Sequence, residues 1–286
     1  MAFAGLLRVR QWVKNGFVLA PLFFGSGLLN RELLIAAGQA FALFCIVSSM
    51  VYIVNDWRDR EDDRLHVKKR QRPLASGAIS GRTALLTLGG LGVLAVGIAL
   101  SSALPRNYFL VLAAYVVINL AYSLGLKHVA IVELFLVASG FVLRLLAGAF
   151  AIQIFMSQWI LIATAMIALV LTVGKRRSDI AQQYDTENRR KSLEQYNVAY
   201  LDLVLAALTG GTLVVYMLFC ASDYATERFS PMVLTTAIPV AFGLLRYLQL
   251  VTVKGQGAAP TDLMLEDPGL IASVSVFIAI FAALIY

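Results

Sequence analysis

Between residues 55 and 77 the chain reads NDWRDREDDRLHVKKRQRPLASG, a polar interruption in an otherwise mostly apolar sequence. Five acids fall in its first half: Asp56, Asp59, Glu61, Asp62 and Asp63. On a helix, Asp56, Asp59 and Asp63 stand at i, i+3 and i+7 and share one face, with Asn55 one turn before Asp59. Like charges so spaced repel, so the arrangement costs stability unless a cation is shared between them. Magnesium suits this pattern, because Mg2+ is held by one or two carboxylates together with waters and substrate phosphates. The plain alternative is a solvated charged loop. The order of the charges argues against it: the acids come first, on one face, directly after an apolar run, and the bases Lys68 to Arg72 follow. A metal site followed by a basic rim is what a multiply anionic substrate needs.

The elements that must position these residues are membrane helices. Of 286 residues, 59% are hydrophobic and 14% charged, and the mean hydropathy is +0.78; a soluble domain carries about 25% charged residues. Nine apolar runs approach the roughly 20 residues needed to cross a bilayer, at about 16–30, 33–54, 83–104, 107–125, 129–151, 156–174, 199–221, 231–251 and 268–285. The expected architecture is all-α, a bundle of nine transmembrane helices forming a single domain over 1–286, with helical cytoplasmic loops. The first run is the shortest and contains Pro21, so it should be tilted or kinked. Arg8, Arg10 and Lys14 precede it without a cleavage site after a short apolar segment, so the amino terminus is expected to be retained. Cys45 and Cys220 lie inside apolar runs and read as packing residues.

Lys and Arg fall almost entirely on one side of this topology. The loops on the opposite side hold only Arg31, Arg106 and Arg228. By the positive-inside rule the amino terminus and the acidic loop face the cytoplasm. Arg144 and Arg246 remain inside spans, where a guanidinium is costly and should face the protein interior. For Arg144 two readings stand: a hydrogen-bonding clamp between helices, or an anion contact. The mixed charges of 175–196, KRRSDIAQQYDTENRRKSLEQY, suit an interfacial hairpin or a cap over a site.

These stretches resemble a known family. Asn55-Asp56-x-x-Asp59-x-x-x-Asp63 is similar to the first aspartate-rich signature of the UbiA superfamily of intramembrane prenyltransferases. The run continuing through His66, Lys69, Arg70, Arg72, Pro73 and Gly77 resembles more closely a branch that moves phosphoribosyl groups onto polyprenyl phosphate. So do LRVRQWVKN (Leu7 to Asn15), YSLGLKH (Tyr122 to His128), GFVLRLLAG (Gly140 to Gly148) and GKR (Gly174 to Arg176). The likeness runs to about Arg177 and weakens after it. Many members carry a second DxxxD motif after the sixth span. Here Asp179 and Asp185 are six apart and follow Lys175, Arg176 and Arg177, a basic cluster that suits an anion better than a second metal.

The resemblance implies a Mg2+-dependent enzyme of the inner (plasma) membrane with its active site facing the cytoplasm. Asp56, Asp59 and Asp63 would act as catalytic metal ligands. Asn55, Lys14, Arg72, Tyr122, Lys127, Arg144, Lys175 and Arg176 would be substrate-binding. The implied partners are phosphoribosyl diphosphate, a polyprenyl phosphate and the membrane, with no nucleic acid; a homo-oligomer is compatible with the sequence. The alternative enzyme is a prenyltransferase acting on an aromatic or glycerol-type acceptor. The alternative of a different class is an organic-anion transporter, against which the acids cluster at one face and no repeat is evident.

Overall fold

The computed structural model describes residues 2–65, 69–182, 192–257 and 259–286. Eight helices among them are long and apolar enough to cross a membrane, and the chain is a multi-span membrane protein. We label them α1 (Arg31–Arg58), α2 (Gly81–Ser101), α3 (Arg106–Leu124), α4 (Val132–Ala151), α5 (Gln158–Ala181), α6 (Val198–Cys220), α7 (Ala237–Thr252, entered through the 3-10 turn Pro231–Thr236) and α8 (Pro268–Ile285). Five of the eight starts are set locally by side-chain capping. The side chains of Asn30, Ser80, Ser157, Asn197 and Asp267 each accept a hydrogen bond from a free backbone N–H in the following turn.

The chain divides into two compact units. Of the described residues, the first comprises those within 2–136 and 143–154, and the second those within 137–142, 155–182 and 192–286. The first unit is centred on α1, whose Leu43, Phe44 and Val51 pack with Tyr108, Leu112 and Tyr115 of α3 and Ala147 of α4. Phe44 and Tyr115 meet with ring centroids 4.7 Å apart. In the second unit Arg177 of α5 donates to Asp202 of α6 at 3.0 Å and to the carbonyls of Val251 and Thr252 at the end of α7. Arg246 bridges α7 to Asp267 at the start of α8. Hydrogen bonding from Arg246 holds the Asp267 carboxyl down at about 2.

The expected first span, over 16–30, is not a continuous α-helix. In its place is a 3-10 helix, Val9–Val18, followed by the short helix Ala20–Phe24. Arg8 meets Asp56, Trp12 meets Ser49, Asn15 meets Ser48, and Leu22 packs with Ala37, so this segment descends antiparallel along α1. The 19 steps from Asp56 to Ala37 cover about 28 Å at roughly 1.5 Å per residue. The 14 steps from Arg8 to Leu22 cover the same depth only at about 2.0 Å per residue, the 3-10 rise. A 3-10 helix repeats every three residues, which places Trp12, Asn15 and Val18 in one line facing the α1 core.

The close approach of this segment to α4 requires a glycine. A Cβ on Gly148 would lie 1.9 Å from the Val18 carbonyl oxygen and 3.1 Å from Cδ of Pro21. Gly148→Ala should therefore destabilise the protein by about 1–3 kcal/mol through overpacking, seen as a lowered thermal midpoint in detergent. Gly89→Ala, with nothing within 4 Å of the added carbon, should leave the midpoint unchanged or slightly raised, since alanine favours the helix by about 1 kcal/mol.

Candidate functional site

The three aspartates on the predicted face are the three that the fold buries. Asp56, Asp59 and Asp63 are 2%, 7% and 3% exposed, whereas Glu61 and Asp62 are on the surface. The helical pattern that sets this face survives the break between α1 and the short helix Arg60–Leu65. Asp59 N donates to the Asn55 carbonyl at 2.9 Å and Asp63 N to the Asp59 carbonyl at 2.8 Å. Glu61 shows the solvated alternative: it is bonded on the surface to Arg60 and Arg64, and the hydrogen bond from Arg60 lowers its pKa from the ordinary value.

A buried carboxylate must be paired, and each of the three is paired with a cation from a different segment. Arg8 grips both oxygens of Asp56, with Nε 3.1 Å from Oδ2 and Nη2 on Oδ1. Arg72 bridges Asp56 and Asp63 through Nη1, at 3.1 and 2.5 Å. Lys127, itself buried, donates to Asp59. Arg72 reaches back because the loop after residue 69 folds onto the first unit: Leu74 and Ile79 pack against Leu6 and Ile53. Lys127 sits in a 3-10 turn, Leu126–His128, entered through Gly125 at φ 155°, a conformation that glycine adopts without strain. Among the described residues no three His, Cys, Asp or Glu side chains converge to hold a metal; the carboxylates are instead turned toward Arg8, Arg72 and Lys127. The donor set nevertheless fits magnesium: it is all oxygen, buried, and compensated by long side chains that can rotate away.

The other predicted residues divide between the two units. Asn55 lies beside the aspartates and accepts from Ser123 Oγ at 2.9 Å. Lys14 and Tyr122 belong to the first unit and are half-buried. Arg144, 4% exposed, also belongs to the first unit. It donates through Nε to Asn15 Oδ1 at 2.8 Å and through Nη2 to Tyr115 OH at 3.0 Å, with its guanidinium 5.5 Å from the Phe44 ring centroid. Asn15 passes the chain on to Ser48 at 3.1 Å and to the Cys45 thiol at 3.2 Å. Cys45 and Cys220 are both buried and free.

Lys175 and Arg176 lie in the second unit on α5. The loop expected to begin at Lys175 is helical as far as Ala181, and residues 183–191, with Asp185, lie outside those described, as do His66 and Lys68. Lys175 is exposed, Arg176 is buried and bonded to Asp179 at 3.1 Å, and Arg177 is committed to tying helices together. Sequence reasoning passed over Arg8, Asn15 and Ser123. The repeat of three through Trp12, Asn15 and Val18 was the available signal for Asn15; Ser123 had none.

The profile of the UbiA prenyltransferase family matches residues 13–264. The decaprenyl-phosphate phosphoribosyltransferase of Corynebacterium glutamicum is 36% identical over 266 residues, 91% of this chain and 80% of that protein. The protein of the same name from Mycolicibacterium smegmatis is 36% identical over 293 residues, 98% and 91% of the two chains. A solved structure of a UbiA homolog from Archaeoglobus fulgidus bound to GPP and Mg2+ matches with a TM-score of 0.73 at 21% identity, covering 100% of this chain and 99% of that one. At that identity the likeness is one of fold.

The Arg144 geometry yields a direct test of its role. Arg144→Lys keeps the charge but cannot reach Asn15 and Tyr115 together, and it should cost about 1–3 kcal/mol as buried partners lose their hydrogen bonds. Thermal unfolding in nanodiscs would show this, and an unchanged midpoint would remove the residue from the clamp.

Proposed function

This chain belongs to the UbiA prenyltransferase family, and we propose that it transfers 5-phosphoribosyl from phosphoribosyl diphosphate to the phosphate of a polyprenyl lipid, releasing diphosphate. The observation that carries this reading is the buried set Asp56, Asp59 and Asp63, wrapped by Arg8, Arg72 and Lys127. It offers both a site for a divalent cation and phosphate-binding side chains in one place. The identity to two decaprenyl-phosphate phosphoribosyltransferases over nearly the whole chain supports the choice of donor and acceptor. The basic Lys175 and Arg176 in place of a second aspartate pair point the same way.

In this reaction the bond from ribose C1 to the diphosphate breaks and a bond from C1 to an acceptor phosphate oxygen forms. Asp56, Asp59 and Asp63 would hold Mg2+, which when bound supplies neutralisation of the departing diphosphate. Arg72 and Lys127 leave the aspartates for phosphate oxygens, where the planar guanidinium binds two at once and the ammonium acts as a point charge. Asn55, fixed by Ser123, and Tyr122 orient the donor by hydrogen bonds. Lys14 provides further positive charge for a phosphorylated substrate, and Lys175 and Arg176 are candidate phosphate contacts of the second unit. The acceptor is already an anion, so no side chain has to remove a proton from it. Arg144, with Nε and Nη2 on protein partners, serves to hold the 3-10 segment that carries Lys14 and directly follows Arg8. The cytoplasmic side of the inner membrane is the face on which this chemistry occurs, in keeping with the one-sided distribution of Lys and Arg.

Purified protein in nanodiscs, given Mg2+, labelled phosphoribosyl diphosphate and decaprenyl phosphate, should form a labelled lipid. Asp56→Ala or Asp59→Ala should lower that rate at least about a hundredfold, and chelation of the metal should abolish it. No labelled lipid, together with turnover of a prenyl diphosphate and an aromatic acceptor, would instead identify a prenyltransferase.

A further inference from the structure

Asp56, Asp59 and Asp63 bring three negative charges into buried positions, and the ion pairs they make bring three positive ones, from Arg8, Arg72 and Lys127. A dication entering alone would have to break an existing pair and leave a guanidinium without its anion in a site mostly closed to water, which is strongly unfavourable. Entry together with a diphosphate removes that cost, because phosphate oxygens accept the same forked hydrogen bonds that the carboxylate gives up.

Arg8 is the cation on which this exchange turns. Its Nε and Nη2 take both oxygens of Asp56 and leave that carboxylate with little to offer a metal. Its side chain is 20% exposed, so an anion can reach it, and its guanidinium lies 4.8 Å from the Tyr52 ring centroid. Its backbone is left-handed, at φ 50° and ψ 46°, which for a residue other than glycine costs about 1–3 kcal/mol and persists only where surrounding contacts hold it. The grip on Asp56 is one of the contacts around it, together with the backbone bonds from Arg8 N to Gly5 O at 3.2 Å and from Gln11 N to Arg8 O at 2.7 Å.

We infer that Arg8 couples metal to diphosphate binding: it withholds the Asp56 carboxylate from a divalent cation until a diphosphate is present to receive the guanidinium, so that metal and diphosphate bind as a coupled pair. The inference rests on the reading of the aspartates as a metal site given above.

Binding of Mn2+ to the full-length protein in nanodiscs, followed by electron paramagnetic resonance with and without saturating inorganic diphosphate, tests it without any turnover. After correction for the complex formed in solution, wild-type protein should bind Mn2+ about tenfold or more tightly when diphosphate is present. Arg8→Met should bind Mn2+ alone about tenfold or more tightly than wild type and lose most of the diphosphate dependence, whereas Arg8→Lys should retain part of it. Mn2+ affinity in wild type that is independent of diphosphate would overturn the inference while leaving the metal site standing. So would an Arg8→Met protein that melts cooperatively yet binds Mn2+ alone no better than wild type. Absence of Mn2+ binding under both conditions would overturn the metal reading itself.

Discussion

Three carboxylates placed where water is scarce must be compensated, and the first unit is built around that requirement. A buried charge that loses its partner costs about 3–5 kcal/mol, so Asp56, Asp59 and Asp63 can be kept only if cations are delivered to them reliably. The three cations come from the amino-terminal segment, the loop after the acidic helix, and the turn between α3 and α4. Each of those segments is fixed by apolar packing or backbone geometry elsewhere: Leu6, Ile53, Leu74 and Ile79 for the loop, Gly125 for the turn, and Gly148 for the segment descending beside α1. The charge requirement thus explains contacts that have no electrostatic content of their own.

The amino-terminal segment shows how an irregular element can be more specific than a regular one. A 3-10 helix of ten residues is long for its type, and its intrinsic hydrogen bonding does not account for its persistence. Side-chain bonds from Trp12 and Asn15 to α1, and the Arg144 chain through Asn15 to Ser48, provide the missing stabilisation. Arg144 is costly in an apolar setting, and it is tolerated because two of its donors have neutral acceptors and its flat face lies near the Phe44 and Tyr115 rings. The result is a fixed path that brings Arg8 to the level of Asp56.

The second unit uses its basic residues differently. Arg177 spends three donors on Asp202 and two carbonyls at the end of α7, and Arg176 is bonded to Asp179. A run of three consecutive bases that looks uniform in sequence therefore contains one tie between helices, one buried arginine paired with a half-buried aspartate, and one exposed lysine. Charge alone could not sort them, because the sorting depends on which side of α5 each side chain leaves and what it meets there.

The sequence by itself determined the helical membrane class, since apolar runs of bilayer length admit little else. It also determined the face shared by Asp56, Asp59 and Asp63, because three, four and seven residues are fixed spacings on any α-helix. Family likeness was legible for the same local reason. What only the tertiary structure decided was the pairing: that Arg8 lies on Asp56, 48 residues away, and Lys127 on Asp59, 68 residues away. It also decided that residues 9–18 stretch into a 3-10 helix, whose length is set by the depth of α1 and whose period is set by its partners. Local pattern fixes what a segment presents on each face; which distant charge it must meet depends on the packing of the whole unit, and the aspartates acquire their compensation only there.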